Sequence, residues 1–314
     1  MFETFKATLS PMLVMFLCIL IGFIAQKKSI TPDNTAAVFA KFENYVFVPA
    51  LIINTFMRYC TVRSIAEQYE LIVYATVALV LALCIAFPLS RVFAKNDAYK
   101  RSIYKYALTF GNFSFMGNAI VPAIFGEEML YPYMLFTLPL NIAVYTWGVL
   151  ILVPQGQHKD SIFKRMFNTT FLSILVGAGL GLTGAAGHVP EFISSTVSSC
   201  AACMGPLAMI LTGFVIGGYD FGVLLKKKSV YVATALRLLV FPAVFIVVLR
   251  LLGADNTVLV CALFAFATPL GLNTVVFPAA YGGDTSIGAS MAMISHTFCV
   301  LTIPLMYALL TYFI

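Results

Sequence analysis

Apolar residues fill long windows of this chain with few polar interruptions. A helix needs roughly twenty apolar residues to cross a bilayer. Ten windows of that kind predict helices over approximately residues 7–26, 37–57, 69–91, 103–125, 130–153, 167–186, 194–217, 229–251, 257–281 and 286–313. The second window is the least clean, because Lys41 and Glu43 sit near its start. The first, from Ala7 to Ala25, is too long for a signal-peptide core and no small-residue cleavage site follows it, so it reads as a retained helix. The intervening loops are short and leave no room for a soluble catalytic or sensory domain.

Composition agrees with the pattern. Of 314 residues, 61% are hydrophobic and 10% charged, and the mean hydropathy is +0.95. A soluble domain carries roughly a quarter charged residues, and soluble packing cannot hide this much apolar surface, whereas lipid can. The net charge of +6 matters less than its placement. With loops numbered alternately, one side collects fourteen Lys and Arg (Lys27, Lys28, Lys41, Arg91, Lys95, Lys100, Arg101, Lys105, Lys159, Lys164, Arg165, Lys226, Lys227, Lys228) and the other four (Lys6, Arg58, Arg63, Arg250). Arg237 falls inside a span. Positive loops face the cytoplasm, so both termini are expected on the non-cytoplasmic side. The seven cysteines form no disulfide framework, and Cys200-Ala-Ala-Cys203 reads as small-residue helix packing rather than a redox pair.

The chain repeats itself at half its length. Pro122-Ala-Ile-Phe-Gly-Glu-Glu128 matches Pro278-Ala-Ala-Tyr-Gly-Gly-Asp284 at an offset of 156, and Val48-Pro49-Ala-Leu matches Gly205-Pro206-Leu-Ala at 157. Each half then holds five spans. Five is odd, so the second half enters the membrane upside down, as in the inverted repeats of many secondary transporters. The expected fold is all-α integral membrane, with ten transmembrane helices in two inverted five-helix repeats, 1–157 and 158–314.

Spans four and nine are the interrupted ones. Span four carries Gly111-Asn-Phe-Ser-Phe-Met-Gly117-Asn118 before Pro122, and span nine carries Thr268-Pro269-Leu-Gly271-Leu-Asn273-Thr274 before Pro278. Gly and Pro inside a helix cost about 1 and 3 kcal/mol relative to Ala. The freed backbone groups are tolerated at membrane depth only inside protein or along a wet cavity, so matched breaks point to a transport site. Ordinary proline kinks are the alternative, but polar residues accompany both breaks.

At Gly111-Asn112…Gly117…Pro122-x-x-Phe-Gly126, Pro269…Pro278-Ala-x-Tyr-Gly282 and the mid-helix prolines Pro49 and Pro206, the sequence resembles the auxin efflux carrier family. The resemblance covers nearly the whole chain. It implies ten helices with broken helices four and nine crossing near mid-membrane. It further implies a scaffold from spans 1, 2, 6 and 7, a transport domain from spans 3–5 and 8–10 moving in an elevator-type cycle, and a homodimer. Its implied substrates are small carboxylate anions such as malonate, malate or an auxin-like anion. The loop Pro154 to Phe167 is far shorter than the long cytoplasmic loop of many plant members, which fits a compact microbial member.

The expected function is a secondary permease of small organic carboxylates in the cell membrane. Candidate substrate-binding residues are Asn112, Ser114, Asn118, Thr268, Gly271, Asn273 and Thr274, with Gly111, Gly117, Pro122, Pro269 and Pro278 as crossing or hinge positions. For the asparagines, interhelical hydrogen bonding is the competing role; for Asn54 and Asn141 packing is favoured. His296 is either a packed neutral histidine or a proton-coupling group. No Asp or Glu is expected in the middle of a span, which weighs against a cation/proton antiporter. A sodium-coupled symporter of the bile-acid type is the remaining transport alternative, separable by sodium dependence. No metal-ligand cluster, carboxylate pair or Ser-His-Asp arrangement suggests an enzyme, and no cofactor, metal or nucleic-acid partner is expected.

Overall fold

Every apolar window folds as helix in the computed structural model, which describes residues 1–152, 167–280 and 283–313. Among the described residues, seven helices are long and apolar enough to cross a membrane: α1 (Phe2–Lys27), α2 (Thr35–Tyr59), α3 (Val62–Phe93), α6 (Glu127–Leu152), α8 (Glu191–Gly217), α9 (Lys228–Leu251) and α12 (Ser286–Phe313). Shorter helices lie between them: α4 (Ala98–Thr109), α5 (Phe113–Phe125), α7 (Thr169–Leu182), α10 (Asn256–Phe266) and α11 (Asn273–Ala280). Among the described residues there is no β-strand, only an isolated antiparallel bridge between Gly111 and Leu270. Tyr281, Gly282 and most of the 154–167 loop lie outside the described residues.

Local chemistry explains where helices start and stop. The Thr61 hydroxyl and Ser64 form a reciprocal capping box on α3. The Asp97 carboxylate accepts from the Lys100 N–H on α4, and the Asp255 carboxylate from the Val258 N–H on α10. The windows 103–125 and 257–281 are the two that split. Helix α4 ends where Phe110 turns extended ahead of Gly111. Helix α10 ends ahead of Thr268-Pro269, because a proline disfavours helical backbone in the residue before it.

Two helices widen to π-turns immediately before a proline: Glu43–Phe47 ahead of Pro49, and Leu236–Val240 ahead of Pro242. A proline has no N–H to donate and its ring crowds the carbonyl four residues back, so the turn relaxes by one residue. Each π-turn carries a charged residue type that is completely buried, Glu43 and Arg237.

Close packing relies on small residues. A Cβ on Gly213 of α8 would lie 2.0 Å from the Ile19 carbonyl oxygen of α1, and one on Gly22 of α1 would lie 2.0 Å from the Ile210 oxygen. Gly177 and Gly181 of α7 lie against Phe56 of α2 and Cys60 just beyond its end in the same way. The small-residue stripe of α8 is therefore spent inside the chain on α1. Helix α3 buries Ala75, Ala78, Ala82 and Ala86 along one stripe while Val73, Val77 and Val80 face outward, as on a lipid-exposed helix. Helix α10, by contrast, buries nearly all of its side chains and forms the centre of the molecule.

Candidate functional site

The two breaks meet. Gly111 bridges Leu270, and the Asn112 backbone N–H donates to the Pro269 carbonyl at 2.7 Å. Four helix ends thus converge on one locus: the C-termini of α4 and α10 and the N-termini of α5 and α11. Helix ends carry unpaired backbone groups, and most of the partners here come from side chains. Thr268 Oγ1 donates to the Ala265 carbonyl at 3.0 Å, and the Tyr133 hydroxyl of α6 lies 2.9 Å from the Phe113 carbonyl and 3.4 Å from that of Phe264. The Leu270 N–H donates to Ser295 Oγ of α12 at 3.0 Å.

Arg237 of α9 reaches this locus. Its Nη1 donates to the carbonyls of Leu108 and Thr109 at 3.1 and 3.2 Å, and its Nη2 to Ala265 at 3.3 Å. The guanidinium carbon sits 5.2 Å from the Phe266 ring centre. It makes no ion pair among the described residues. A Cβ on Gly111 would lie 2.6 Å from Nη2 and 2.5 Å from Thr268 Oγ1, so only glycine lets the two chains and the arginine approach this closely.

The predicted polar residues divide between the crossing and two cavities beside it. Asn112 is buried, with Nδ2 3.0 Å from His296 Nε2, while His296 Nδ1 lies 2.7 Å from the Ala292 carbonyl. An amide donor on Nε2 and a carbonyl on Nδ1 together match a neutral imidazole protonated on Nδ1. Asn273 donates to the Tyr106 hydroxyl at 2.7 Å and lines a cavity of about 210 Å³ with Asn44, Tyr145 and Thr170. Asn118 and Pro122 line another of about 180 Å³, with Asn54, Thr55 and Gly205. The Oδ1 atoms of both Asn54 and Asn118 are buried without a hydrogen-bond partner among the described residues, which marks this cavity as a place for a polar occupant. Thr268 and Thr274 turn their hydroxyls onto nearby carbonyls, of Ala265 and Gly271. Ser114 is half-buried on the first turn of α5, Gly117 packs against the Tyr133 hydroxyl, and Gly271 lies over the Gly111 carbonyl. Pro278 is buried late in α11.

A larger cavity of about 560 Å³, lined by Gln26, Asp33, Lys41 and Tyr219, shares Ala40, Asn44, Tyr45 and Val276 with the Asn273 cavity. At the loop after α11, the Ser286 backbone N–H holds the Asp284 carboxyl below the usual carboxylate range, with Lys227 and Lys100 adding to the effect. Among the described residues no cluster of His, Cys, Asp and Glu could hold a metal.

A family model of membrane transport proteins matches the chain over residues 7–163 and 158–307. The chain belongs to the auxin efflux carrier family. This family member is 25% identical over 305 residues to an uncharacterized transporter of Methanocaldococcus jannaschii, an alignment covering 93% of this chain and 96% of the relative. Family and apolar helices together make it a membrane transport protein.

Two buried groups of this transporter escaped the sequence reading. Glu43 was expected near a helix end, yet it is the ninth residue of α2 and is wholly buried, with neither carboxylate oxygen partnered among the described residues. Pro49 was the available sequence signal, since a proline loosens the turn just before it and can re-aim the residues there. Arg237 was placed inside a span without a role, although an intramembrane arginine is itself a functional pointer.

Proposed function

We propose that this protein is a secondary carrier of small organic carboxylate anions and that the substrate binds at the crossing of the two broken helices. The observation that carries the reading is the meeting of the breaks at Gly111–Asn112 and Pro269–Leu270, with two cavities lined in part by Asn118 and Asn273 of the helices that restart there. At roughly 30 Å³ per water, volumes of about 180 and 210 Å³ correspond to some six or seven waters each, enough for a small mono- or dicarboxylate. The N-termini of α5 and α11 offer first-turn N–H groups and partial positive charge, which favour an anion. Asn118 and Asn273 supply amides towards the cavities, and Asn112 supports the crossing through His296.

The same reading assigns ten membrane segments to two inverted five-helix repeats, 1–157 and 158–314. Matched features support it: Asp97 and Asp255 cap the half-helices α4 and α10 at an offset of 158, close to the 156 that separates Pro122 from Pro278. Segments α1, α2, α7 and α8 form the scaffold, and the remainder moves against it in an elevator-type step. Homodimerisation rests on the family resemblance. Both termini lie outside the cytoplasm, so a reporter active only in the cytoplasm stays silent at the C-terminus and is active at Lys226–Lys228.

Thermal-shift screening of purified protein against malonate, malate, indole-3-acetate and related acids tests the function. A ligand that binds only the folded state raises the melting temperature with its concentration. At least one carboxylate should do so while its amide does not, and a panel without any saturable shift would refute the substrate class.

A further inference from the structure

We propose that Arg237 sets the sign of charge that the crossing accepts, by neutralising the two helix C-termini that would otherwise repel an anion. The proposal rests on the reading of the crossing as a carboxylate site and extends it to a residue on a third helix.

The argument is one of charge accounting. A helix presents about half a positive charge at its N-terminus and half a negative charge at its C-terminus. Two broken helices that cross bring two ends of each sign to one locus, and at close range their effects on a ligand would largely cancel. Here the cancellation is lifted. The C-terminal carbonyls of α4 (Leu108, Thr109) and of α10 (Ala265) all accept from the one guanidinium of Arg237. Two C-termini sum to about one negative charge, which one arginine balances. What remains uncompensated at the crossing is the pair of N-termini, of α5 and α11, worth about one positive charge together.

Several observations fit a neutralising role better than a spare structural cation. Arg237 is fully buried and has no acidic partner among the described residues, so among them its compensation comes from backbone carbonyls and the face of the Phe266 ring. A buried charge is stable only when paired or richly hydrogen-bonded, and carbonyls at two helix ends meet that need. The planar fork spans both helices at once, which a lysine ammonium does less well. Its Nη2 lies against the Gly111 backbone, next to Asn112, so the charge sits at the crossing itself. Nε is buried without a partner among the described residues. Arg237 does not touch the substrate in this scheme; it is a positioning residue that acts through the helix ends.

Arg237→Gln and Arg237→Lys would be measured for thermal stability and for binding of the tightest of malonate, malate and indole-3-acetate, alongside the amide of the same acid. Both variants lower stability, since carbonyls lose donors. The discriminating quantity is the preference for acid over amide. It should fall about tenfold or more in Arg237→Gln, which removes the charge, and be retained in Arg237→Lys, which keeps it. An equal loss of acid and amide binding in Arg237→Gln would leave Arg237 a structural clip and overturn the proposal. If Arg237→Gln does not fold, Arg237→Lys decides: a lost preference with the charge retained overturns the proposal, and a kept preference supports it. Wild-type protein that binds none of these acids removes the carboxylate reading, and this inference with it.

Discussion

Replacing Asn273 with Ala removes one defined donor from the crossing, and its effect can be worked from the geometry. The Asn273 amide has two N–H bonds, one of which goes to the Tyr106 hydroxyl at 2.7 Å. The other has no partner among the described residues and can meet a ligand in the cavity of about 210 Å³ that Asn273 lines. A hydrogen bond to a charged group contributes about 1.5–3 kcal/mol, so Asn273→Ala should weaken carboxylate binding roughly 10- to 150-fold. Tyr106→Phe is the control. It removes the internal partner, leaves the amide in place, and should change carboxylate affinity by less than about 1 kcal/mol. Calorimetric titration of detergent-purified protein reads both values, with thermal melting to confirm folding. Unaltered binding in a folded Asn273→Ala protein would refute the assignment. An equal loss in Tyr106→Phe would mean that Asn273 only braces α11 against α4.

Tyr133→Phe should destabilise the fold by about 1–2 kcal/mol, seen in thermal melting, because it strips the donor from the buried Phe113 and Phe264 carbonyls without changing shape; an unchanged melt would mean that other donors cap these helix ends. Gly213→Val should abolish folded expression, since its Cβ would lie 2.0 Å from the Ile19 oxygen and 2.6 Å from the Phe23 nitrogen, both backbone atoms; a well-folded variant would contradict the α1–α8 packing. His296→Gln should leave the pH profile of uptake unchanged between about pH 6 and 8, because a neutral imidazole already satisfies both of its contacts. A flattened profile would instead make His296 the proton-coupling group.

Much of the fold was legible because lipid imposes a simple rule: backbone polar groups must be satisfied within each segment, so an apolar window of sufficient length becomes helix. The breaks were legible for the opposite reason. Gly111 and Pro269 remove helix stability where no neighbouring residue restores it, and both helices do stop there. Which asparagine faces a cavity was not legible. Asn112 and Asn273 each sit just past a break, yet one meets His296 and the other Tyr106, because the partners come from α12 and α4 across the packed interior. Arg237 and Glu43 were hidden by π-turns, which shift the helical phase by one residue and re-aim a side chain that ordinary periodicity would place elsewhere. Glycines such as Gly213 of α8 mark a close-packing face, but sequence does not say that its partner is α1 of the same chain.

Uptake of radiolabelled carboxylate into proteoliposomes containing the purified protein tests the central claim most directly. The account predicts saturable uptake of at least one small carboxylate, competed by other carboxylates but not by their amides, and strongly reduced by Asn273→Ala. Accumulation no faster than in empty liposomes for every acid of the panel, or uptake indifferent to Asn273→Ala, would contradict it.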